Sequence, residues 1–183
     1  MNALLSNRSD AIFIIERKIL AMQYLMKQKL WSLGDDFTIK DSAGNDMFFV
    51  DGKVFSLGHK LSFQDMNGQE LAYIAQKLLS FKTTYEIYRG DNLFAEVIKN
   101  FTFFKDNFTV DIPGPNDYEV QGDFWDYEYA FLRNGRTIAR VSKAFFAWAD
   151  TYGVEIADGE DDITIMATTV VIDLVNQDQR HRS

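Results

Sequence analysis

The amino-acid sequence predicts a single, mostly β domain of about twelve short strands that follow one another in up-and-down order. Three observations predict this fold class: a hairpin unit that recurs along the chain, segments in which apolar and polar residues alternate, and turns that contain glycine or asparagine. The composition agrees, because 16 phenylalanines and 8 tyrosines against 2 prolines favour strands, on which aromatic side chains pack well. A chain of 183 residues is also long enough to bury a substantial core.

The recurring unit begins at a lysine and repeats with a spacing of 24 residues. Lys29-Leu-Trp-Ser-Leu-Gly34 returns as Lys53-Val-Phe-Ser-Leu-Gly58 and again as Lys77-Leu-Leu-Ser-Phe81. Looser copies begin at Lys99 and Lys143. The chain therefore consists largely of one hairpin used several times.

Alternating segments frame these copies and define the predicted strands. The outgoing strands open at 37–39, 61–63, 85–87, 108–110 and 129–131, and the returning strands lie at 71–74, 94–97 and 138–141. The turns between them are Ala43-Gly44, Asn67-Gly68, Gly90-Asp91 and Asn134-Gly135. Glycine and asparagine tolerate the positive φ that tight hairpin turns need. Strands in this order must bury one face and hide their edges, which a closed antiparallel barrel achieves. A propeller or a two-sheet sandwich is the alternative fold. We favour the barrel because the repeating unit of 24 residues contains only two strands.

The C-terminal part of the chain follows a different pattern. An apolar run of thirteen residues, 163–175, is rich in β-branched residues, which favour a strand. The run has no internal turn, however, and the acids at 160–162 before it are typical of a helix N-terminus. The residues alone leave helix and strand open. A run of this length is too short to cross a bilayer, which needs about twenty residues.

Charge and composition argue against several classes of function. The formal net charge of −8 and the pI near 4.7 are opposite to the basic surplus of a nucleic-acid-binding protein. The same charge disfavours broad attraction to an anionic membrane, so we expect any membrane binding to need a specific headgroup. The absence of cysteine excludes disulfides, thiolate nucleophiles and cysteine-ligated zinc. We predict a cytoplasmic protein with no nucleic-acid partner and no transmembrane segment.

Residues 1–21 share no pattern with the rest of the chain, and we predict that they form an N-terminal extension. Their apolar stretch, 11–15, is too short for the core of a signal peptide, and charged residues follow it directly. Met22 is an alternative start.

The repeated lysines and serines are the first candidate site residues. The lysines are Lys29, Lys53, Lys77, Lys99 and Lys143, and the serines are Ser32, Ser56 and Ser80. A phosphate-binding ring of lysines is one interpretation; we favour a structural role, in which each stem covers apolar surface and each charge stays in water. A nucleophilic serine needs a base within hydrogen-bond reach, and three equivalent serines cannot share His59. We interpret them as turn residues.

The acids near the start of the apolar run are the candidate metal site. They are Glu155, Asp158, Glu160, Asp161 and Asp162. Carboxylates at this density suit a hard cation such as calcium, although their spacing is not that of an EF-hand loop. We favour helix capping and solubility as their role and keep calcium as a hypothesis; no other cofactor is predicted.

Asp173 stands alone in the apolar run. If the run is a helix inside a barrel, we expect Asp173 near its exit, where the charge reaches water. A functional buried carboxylate is the alternative. The sequence contains no glycine-rich phosphate loop, zinc-binding histidine pair or catalytic carboxylate motif, so we predict that the protein is not an enzyme.

Several motifs, in the same order along the chain, resemble those of the LURP-one-related family. Tyr24-Leu-Met-Lys-Gln-Lys-Leu-Trp-Ser-Leu-Gly-Asp-Asp-Phe-Thr-Ile-Lys-Asp-Ser-Ala-Gly44 resembles the opening motif, and Phe146-Ala-Trp-Ala-Asp-Thr-Tyr152 resembles the late motif. The acidic stretch and the apolar run resemble the ending, so the resemblance covers residues 22–178. It implies a fold similar to the tubby C-terminal domain and the phospholipid scramblases: a twelve-stranded antiparallel barrel of repeated hairpins around one hydrophobic C-terminal α-helix. That helix is expected at about 160–178, before a polar tail at 179–183.

The resemblance also frames the functional hypotheses. Tubby domains bind phosphoinositides through a basic pocket, and scramblase-type members are linked to lipid and calcium, but no motif of this chain matches such a pocket. A shared fold is weak evidence for function. The leading hypothesis is a non-enzymatic cytosolic, tubby-like module that binds a phosphoinositide or other lipid headgroup, a small ligand or a protein partner. The alternatives are a scramblase-like peripheral membrane protein and a hydrolase with an unrecognised carboxylate site.

Overall fold

The computed structural model describes residues 22–27, 36–52, 58–101, 107–145 and 151–182. Within these ranges the chain forms twelve strands, one 3-10 turn at Lys143–Phe145 and one α-helix. The strands are β1 (Met22–Lys27), β2 (Phe37–Asp41), β3 (Asp46–Gly52), β4 (Lys60–Asp65), β5 (Glu70–Gln76), β6 (Thr84–Arg89), β7 (Asn92–Asn100), β8 (Asn107–Asp111), β9 (Tyr118–Asp123), β10 (Glu128–Arg133), β11 (Arg136–Ser142) and β12 (Thr151–Ile156). The helix α1 is Asp162–Arg182. Residues 1–21, which we predicted to be an extension, lie outside the described residues.

The strands form one closed antiparallel barrel. Each strand pairs with the next along the chain, and β1 closes the barrel by pairing with β12 from Met22 opposite Ile156 to Lys27 opposite Thr151. The predicted mostly β, twelve-stranded barrel is confirmed, and the propeller and sandwich alternatives are wrong.

Strand residues alternate between the interior of the barrel and its outer surface, as the sequence predicts. In β6, Tyr85 and Ile87 are fully buried, whereas Glu86 between them is partly exposed. The same alternation in β8 buries Phe108 and Val110. The inward-facing residues of all twelve strands form one hydrophobic core.

Two of the tight turns are built in the same way. Asp41 and Asp65 each accept hydrogen bonds from the backbone N–H groups two and four residues later, at 2.8–2.9 Å. Gly44 and Gly68 follow with φ of 87° and 80°, a conformation that glycine adopts without strain. The repeat in the sequence is therefore a repeated hairpin in the structure.

The helix α1 lies inside the barrel. Every side chain from Thr164 to Gln177 is buried, and the helix contacts β12 on one side and β5, β6 and β7 on the opposite side. Burial on all sides explains why this run has no polar face. The predicted hydrophobic C-terminal helix is confirmed, and it continues to Arg182 through most of the stretch at 179–183. Within the described part of the chain, no helix combines the length and the apolar character that crossing a membrane requires.

The two ends of the barrel differ in chemistry. Because consecutive strands are antiparallel, every connection from an odd-numbered strand to the next strand lies at one end. We call this end the lysine rim; its described connecting residues are 36, 58–59, 77–83, 101, 124–127 and 143–145, and α1 ends beside them. We call the opposite end the acidic rim; its connections are 42–45, 66–69, 90–91, 112–117, 134–135 and 157–161.

Candidate functional site

Exposed apolar side chains are concentrated on the lysine rim. In the connection from β5 to β6, Leu78 is more than half exposed, and Leu79 and Phe81 have relative exposures of 100% and 110%. Phe101, after β7, and Trp125, between β9 and β10, are exposed on the same rim. Exposed apolar patches on a soluble fold often mark an interaction surface. This rim is therefore the candidate functional site.

The base of the connection 77–83 is fixed by backbone hydrogen bonds. The N–H of Lys77 donates to the C=O of Thr84, and the N–H of Lys99 donates to the C=O of Thr83, both at 2.9 Å. The apolar tip projects from a base that is part of the barrel, so its exposure belongs to the folded structure and does not come from a frayed end.

Lysines flank this tip on both sides. The Lys82 ammonium donates to the side-chain oxygen of Asn100 at 2.8 Å, a neutral partner that leaves the lysine charge in place. Lys77 Nζ lies 2.7 Å from Glu96 Oε1 and 3.4 Å from Glu86 Oε1, and the Glu96 carboxylate raises the pKa of Lys77. The segment 77–83 itself contains no acid.

Further cations lie at the next connections of the lysine rim. Arg180, near the end of α1, donates to the backbone C=O of Trp125 at 3.1 Å, and its guanidinium lies 5.4 Å from the centre of the Trp125 ring. Lys143 Nζ lies 5.2 Å from the centre of the Tyr127 ring and 3.7 Å from an oxygen of Asp126. The helix end and the rim thus form one surface in which cations and aromatic rings adjoin.

Of the three repeated lysines that the structure describes, Lys77 and Lys143 occupy equivalent places and Lys99 does not. Lys29 and Lys53 lie outside the described residues, whereas Lys77 and Lys143 follow β5 and β11 and keep their charges near water, as predicted. For Lys99 the prediction is wrong, because its side chain is only 2% exposed. It belongs to β7, in which alternate residues such as Ala95 and Val97 face the interior, and Lys99 continues that inward-facing series.

Of the repeated serines, the structure describes Ser80, whose hydroxyl adjoins another hydroxyl. Ser32 and Ser56 are outside the described residues, and the Ser80 hydroxyl is 3.2 Å from that of Thr84, in the connection after β5. His59 instead lies 3.2 Å from a carboxylate oxygen of Asp178 on α1. The geometry agrees with a turn role for Ser80.

The acids of the candidate metal site are spread over the acidic rim. Asp161 pairs with Arg89 of β6, and Glu160 lies 2.8 Å from the guanidinium of Arg133 on β10. Asp161 also accepts hydrogen bonds from the hydroxyl and the N–H of Thr164 in the first turn of α1, which is the predicted capping role.

The remaining acids of this group have separate environments. Asp162 accepts a 2.7 Å hydrogen bond from the hydroxyl of Tyr24, and burial raises the pKa of Asp162. Glu155 accepts a hydrogen bond from Gln23 at 3.3 Å, and Asp158 is exposed in the turn before the helix. Across the described ranges, no three acidic or histidine side chains converge as metal ligands would. Calcium binding stays an untested hypothesis, beside the capping role that the sequence favours.

Asp173 lies in the core of the barrel, at 1% exposure. Burial raises its pKa to about 7, against the opposing influence of the Tyr127 hydroxyl and the Arg180 charge. Among the described residues, neither carboxylate oxygen makes a well-formed hydrogen bond. The expectation that this charge reaches water near the helix exit is wrong, because the barrel encloses α1 for a further turn, up to Gln177.

Tyrosines form the surroundings of Asp173. The rings of Tyr127 and Tyr152 stack with their centres 4.5 Å apart. Burial, and then the nearby Asp173 carboxylate, raise the pKa of both Tyr129 and Tyr152 well above the usual value. The interior therefore contains a cluster of tyrosines around Asp173, and burial there favours the protonated carboxyl group. A functional role for the buried Asp173 carboxyl group stays a hypothesis.

The exposed tip at 77–83 is the feature that the sequence interpretation missed. Lys77-Leu-Leu-Ser-Phe81 matches the repeat, whose lysine and serine are the candidate site residues in the sequence. A signal was present, because the adjacent apolar residues Leu78 and Leu79 break the alternation of β5 and precede a second lysine, Lys82. An apolar pair outside a strand must find a partner elsewhere or remain exposed.

Comparison with known proteins agrees with the fold just described, a twelve-stranded barrel closed around a buried C-terminal helix. The chain belongs to the LURP-one-related family, whose profile it matches over residues 22–173. It is 37% identical over 154 residues to the uncharacterised protein YxjI of Bacillus subtilis, a match that covers 84% of this chain and 93% of that protein.

A crystal structure of a protein from Arabidopsis thaliana has the same fold. It superposes with a TM-score of 0.66 and 18% sequence identity, over 85% of this chain and 91% of the plant protein. At that identity the likeness concerns the fold alone. The predicted family is confirmed, while kinship in function to tubby domains or scramblases stays a prediction.

Proposed function

We propose that the protein is a non-enzymatic binding module whose partner docks on the lysine rim. The observation that carries this proposal is the full exposure of Leu79 and Phe81 on a connection whose base is fixed to the barrel. Large apolar side chains held in water cost free energy that burial against a partner would recover. A lipid headgroup region, a protein surface and a small amphipathic ligand all offer such burial.

The enzymatic alternative has less support. Asp173 has the raised pKa of an acid–base group, but it is enclosed by the barrel and offers no surface to a substrate. Ser80 has a threonine hydroxyl as its neighbour and not a base.

Site-specific crosslinking in cells that produce the protein tests the proposal. A photoreactive phenylalanine analogue at Phe81 should capture the partner, and the same analogue at Met66, an exposed apolar residue on the acidic rim, should not. Mass spectrometry of the adducts would separate lipid from protein partners. Equal capture at both positions, or none at Phe81, would contradict the proposed surface.

A further inference from the structure

We propose that the partner of the lysine rim is the surface of a phospholipid bilayer, into which the connection 77–83 inserts Leu79 and Phe81. This inference rests on the proposed function and names its partner. It concerns attachment to one face of a membrane through a barrel connection, with the barrel itself remaining in water.

The order of residues in the connection fits the depth profile of a bilayer surface. Interfacial segments bury apolar side chains at the boundary of headgroups and acyl chains and keep lysines among the headgroups. Here Lys77 and Lys82 bracket the apolar tip in the sequence, and the side chains of Leu79 and Phe81 are fully exposed. A lysine stem can follow the tip and still place its charge at the headgroups.

Two neighbouring aromatic residues extend the same surface. Phe101 follows β7, whose residue Asn100 accepts the hydrogen bond of Lys82 and so lies beside the connection. Trp125 is half exposed on the rim with the Arg180 guanidinium over its ring. Tryptophan is enriched at membrane interfaces because its ring is apolar and its N–H is polar.

The distribution of charge favours approach by this rim. The sequence predicts repulsion from anionic membranes on the basis of the net charge of −8. In the structure, however, Asp91, Asp117 and Asp158 are exposed on the acidic rim, and Asp41 and Asp65 end the strands beside it. A negative surface would repel that end and turn the lysine rim towards itself. Apolar insertion, moreover, does not depend on net charge.

The lysines also distinguish a bilayer from a protein partner. The buried cores of protein–protein interfaces are depleted in lysine, because an ammonium group loses its hydration there. At a membrane surface the ammonium stays hydrated among the headgroups while the apolar residues next to it are buried. Lys82 suits the second case, because it adjoins the tip and its partner Asn100 is neutral, whereas Lys77 is paired with Glu96 and Glu86 on the barrel.

Vesicle flotation with the full chain tests this inference. The protein should float with vesicles of phosphatidylcholine, and a larger fraction should float when phosphatidylserine is added. High salt should abolish only the increase that phosphatidylserine causes, because salt screens charges and does not weaken apolar insertion. The double substitution Leu79→Ser/Phe81→Ser should lower the bound-to-free ratio by at least about tenfold, since both side chains lose their apolar surface.

A matched control removes two apolar side chains from the other end. Met66→Ser/Leu93→Ser changes residues that are likewise exposed, at the acidic rim, and should float like the unaltered chain. All four positions are exposed, so both double variants should keep the melting temperature of the unaltered chain.

Three outcomes would overturn the inference: no flotation of the unaltered chain, equal flotation of the Leu79→Ser/Phe81→Ser variant, or equal loss in the control. If flotation fails while the analogue at Phe81 captures a protein, the bilayer is wrong and the proposed docking rim stands. If both experiments fail, the rim itself is wrong.

Discussion

At the scale of single residues, burial inside the barrel disfavours the ionised form of Asp173. Its carboxyl group has a pKa of about 7 because burial removes it from water, so folding favours the protonated form. In the unfolded chain the same group would ionise near its usual value of 3.8. Stability and pH are therefore linked through this residue.

Replacing Asp173 by asparagine should make the protein more stable at neutral and alkaline pH. The raised pKa means that the contribution of Asp173 is fully present below about pH 4 and is lost as the pH rises to about 7. The difference between the two pKa values corresponds to roughly 4 kcal/mol as an upper bound. Urea unfolding of both proteins at about pH 5 and about pH 8 should thus show a gain for Asp173→Asn that is larger at the higher pH.

Thr168→Val is the control for this experiment. Thr168 is also buried in α1 but cannot ionise in this range, so the substitution should change the free energy of unfolding equally at both pH values. A pH-independent effect of Asp173→Asn would show that the carboxyl group is not held protonated by the fold.

The two residues for which the predicted exposure is wrong, Lys99 and Asp173, are both buried charged residues. The position of each lysine in the repeat predicts a charge near water, and this holds for Lys77 and Lys143. The prediction is wrong for Lys99 because β7 continues through this residue, and its alternate residues face the interior. The predicted exposure of Asp173 is wrong because the burial of a helix residue depends on how far the barrel encloses the helix, and no local sequence pattern contains that information. Both errors arise because burial inside the barrel depends on residues that are distant in the sequence.

At the scale of secondary-structure elements, local sequence signals predict the hairpins but do not decide between helix and strand for the C-terminal run. The hairpin turns depend on residues a few positions apart, so glycine and asparagine were sufficient to predict them. The run 163–175 is rich in β-branched residues and is nevertheless helical, because burial on all sides outweighs a weak intrinsic preference. Its assignment needed the family resemblance.

The acidic turn between β12 and α1 fixes the start of the helix in the barrel. Asp161 pairs with Arg89 and Glu160 with Arg133, so two barrel strands hold the same turn. Glu160 and Asp161 are thus already paired with arginines. Asp162 and Glu155 accept hydrogen bonds from Tyr24 and Gln23, which leaves Asp158 alone exposed in the turn. We therefore predict that millimolar calcium leaves the melting temperature unchanged, because a ligand of the native state alone would raise it.

Differential scanning calorimetry with calcium, and with magnesium as the matched divalent ion, measures this directly. A calcium-specific increase in the melting temperature would contradict the prediction and would return Glu155, Asp158, Glu160, Asp161 and Asp162 to consideration as metal ligands.

At the scale of the whole molecule, closure of the barrel depends on its first strand. β1 pairs with β12 through six residue pairs and with β2 at Tyr24 and Leu25. Without β1, both neighbours would become open edges, which expose unpaired backbone groups. The strand also contributes buried Tyr24, Leu25 and Met26 to the molecule and ties Tyr24 to Asp162 at the helix start.

Two N-terminal truncations should therefore behave differently. We predict that a chain beginning at Met22 unfolds at the same temperature as the full chain, because the family match begins there and residues 1–21 share no pattern with the barrel. A chain beginning at Phe37 lacks β1. Each of its three lost buried side chains is worth about 1.5–3 kcal/mol, and their sum approaches the total stability of a typical domain, about 5–15 kcal/mol. Circular dichroism during heating should show a cooperative transition for the first truncation and none for the second. A cooperative transition at unchanged temperature in the chain from Phe37 would mean that the helix and the other eleven strands hold together without closure.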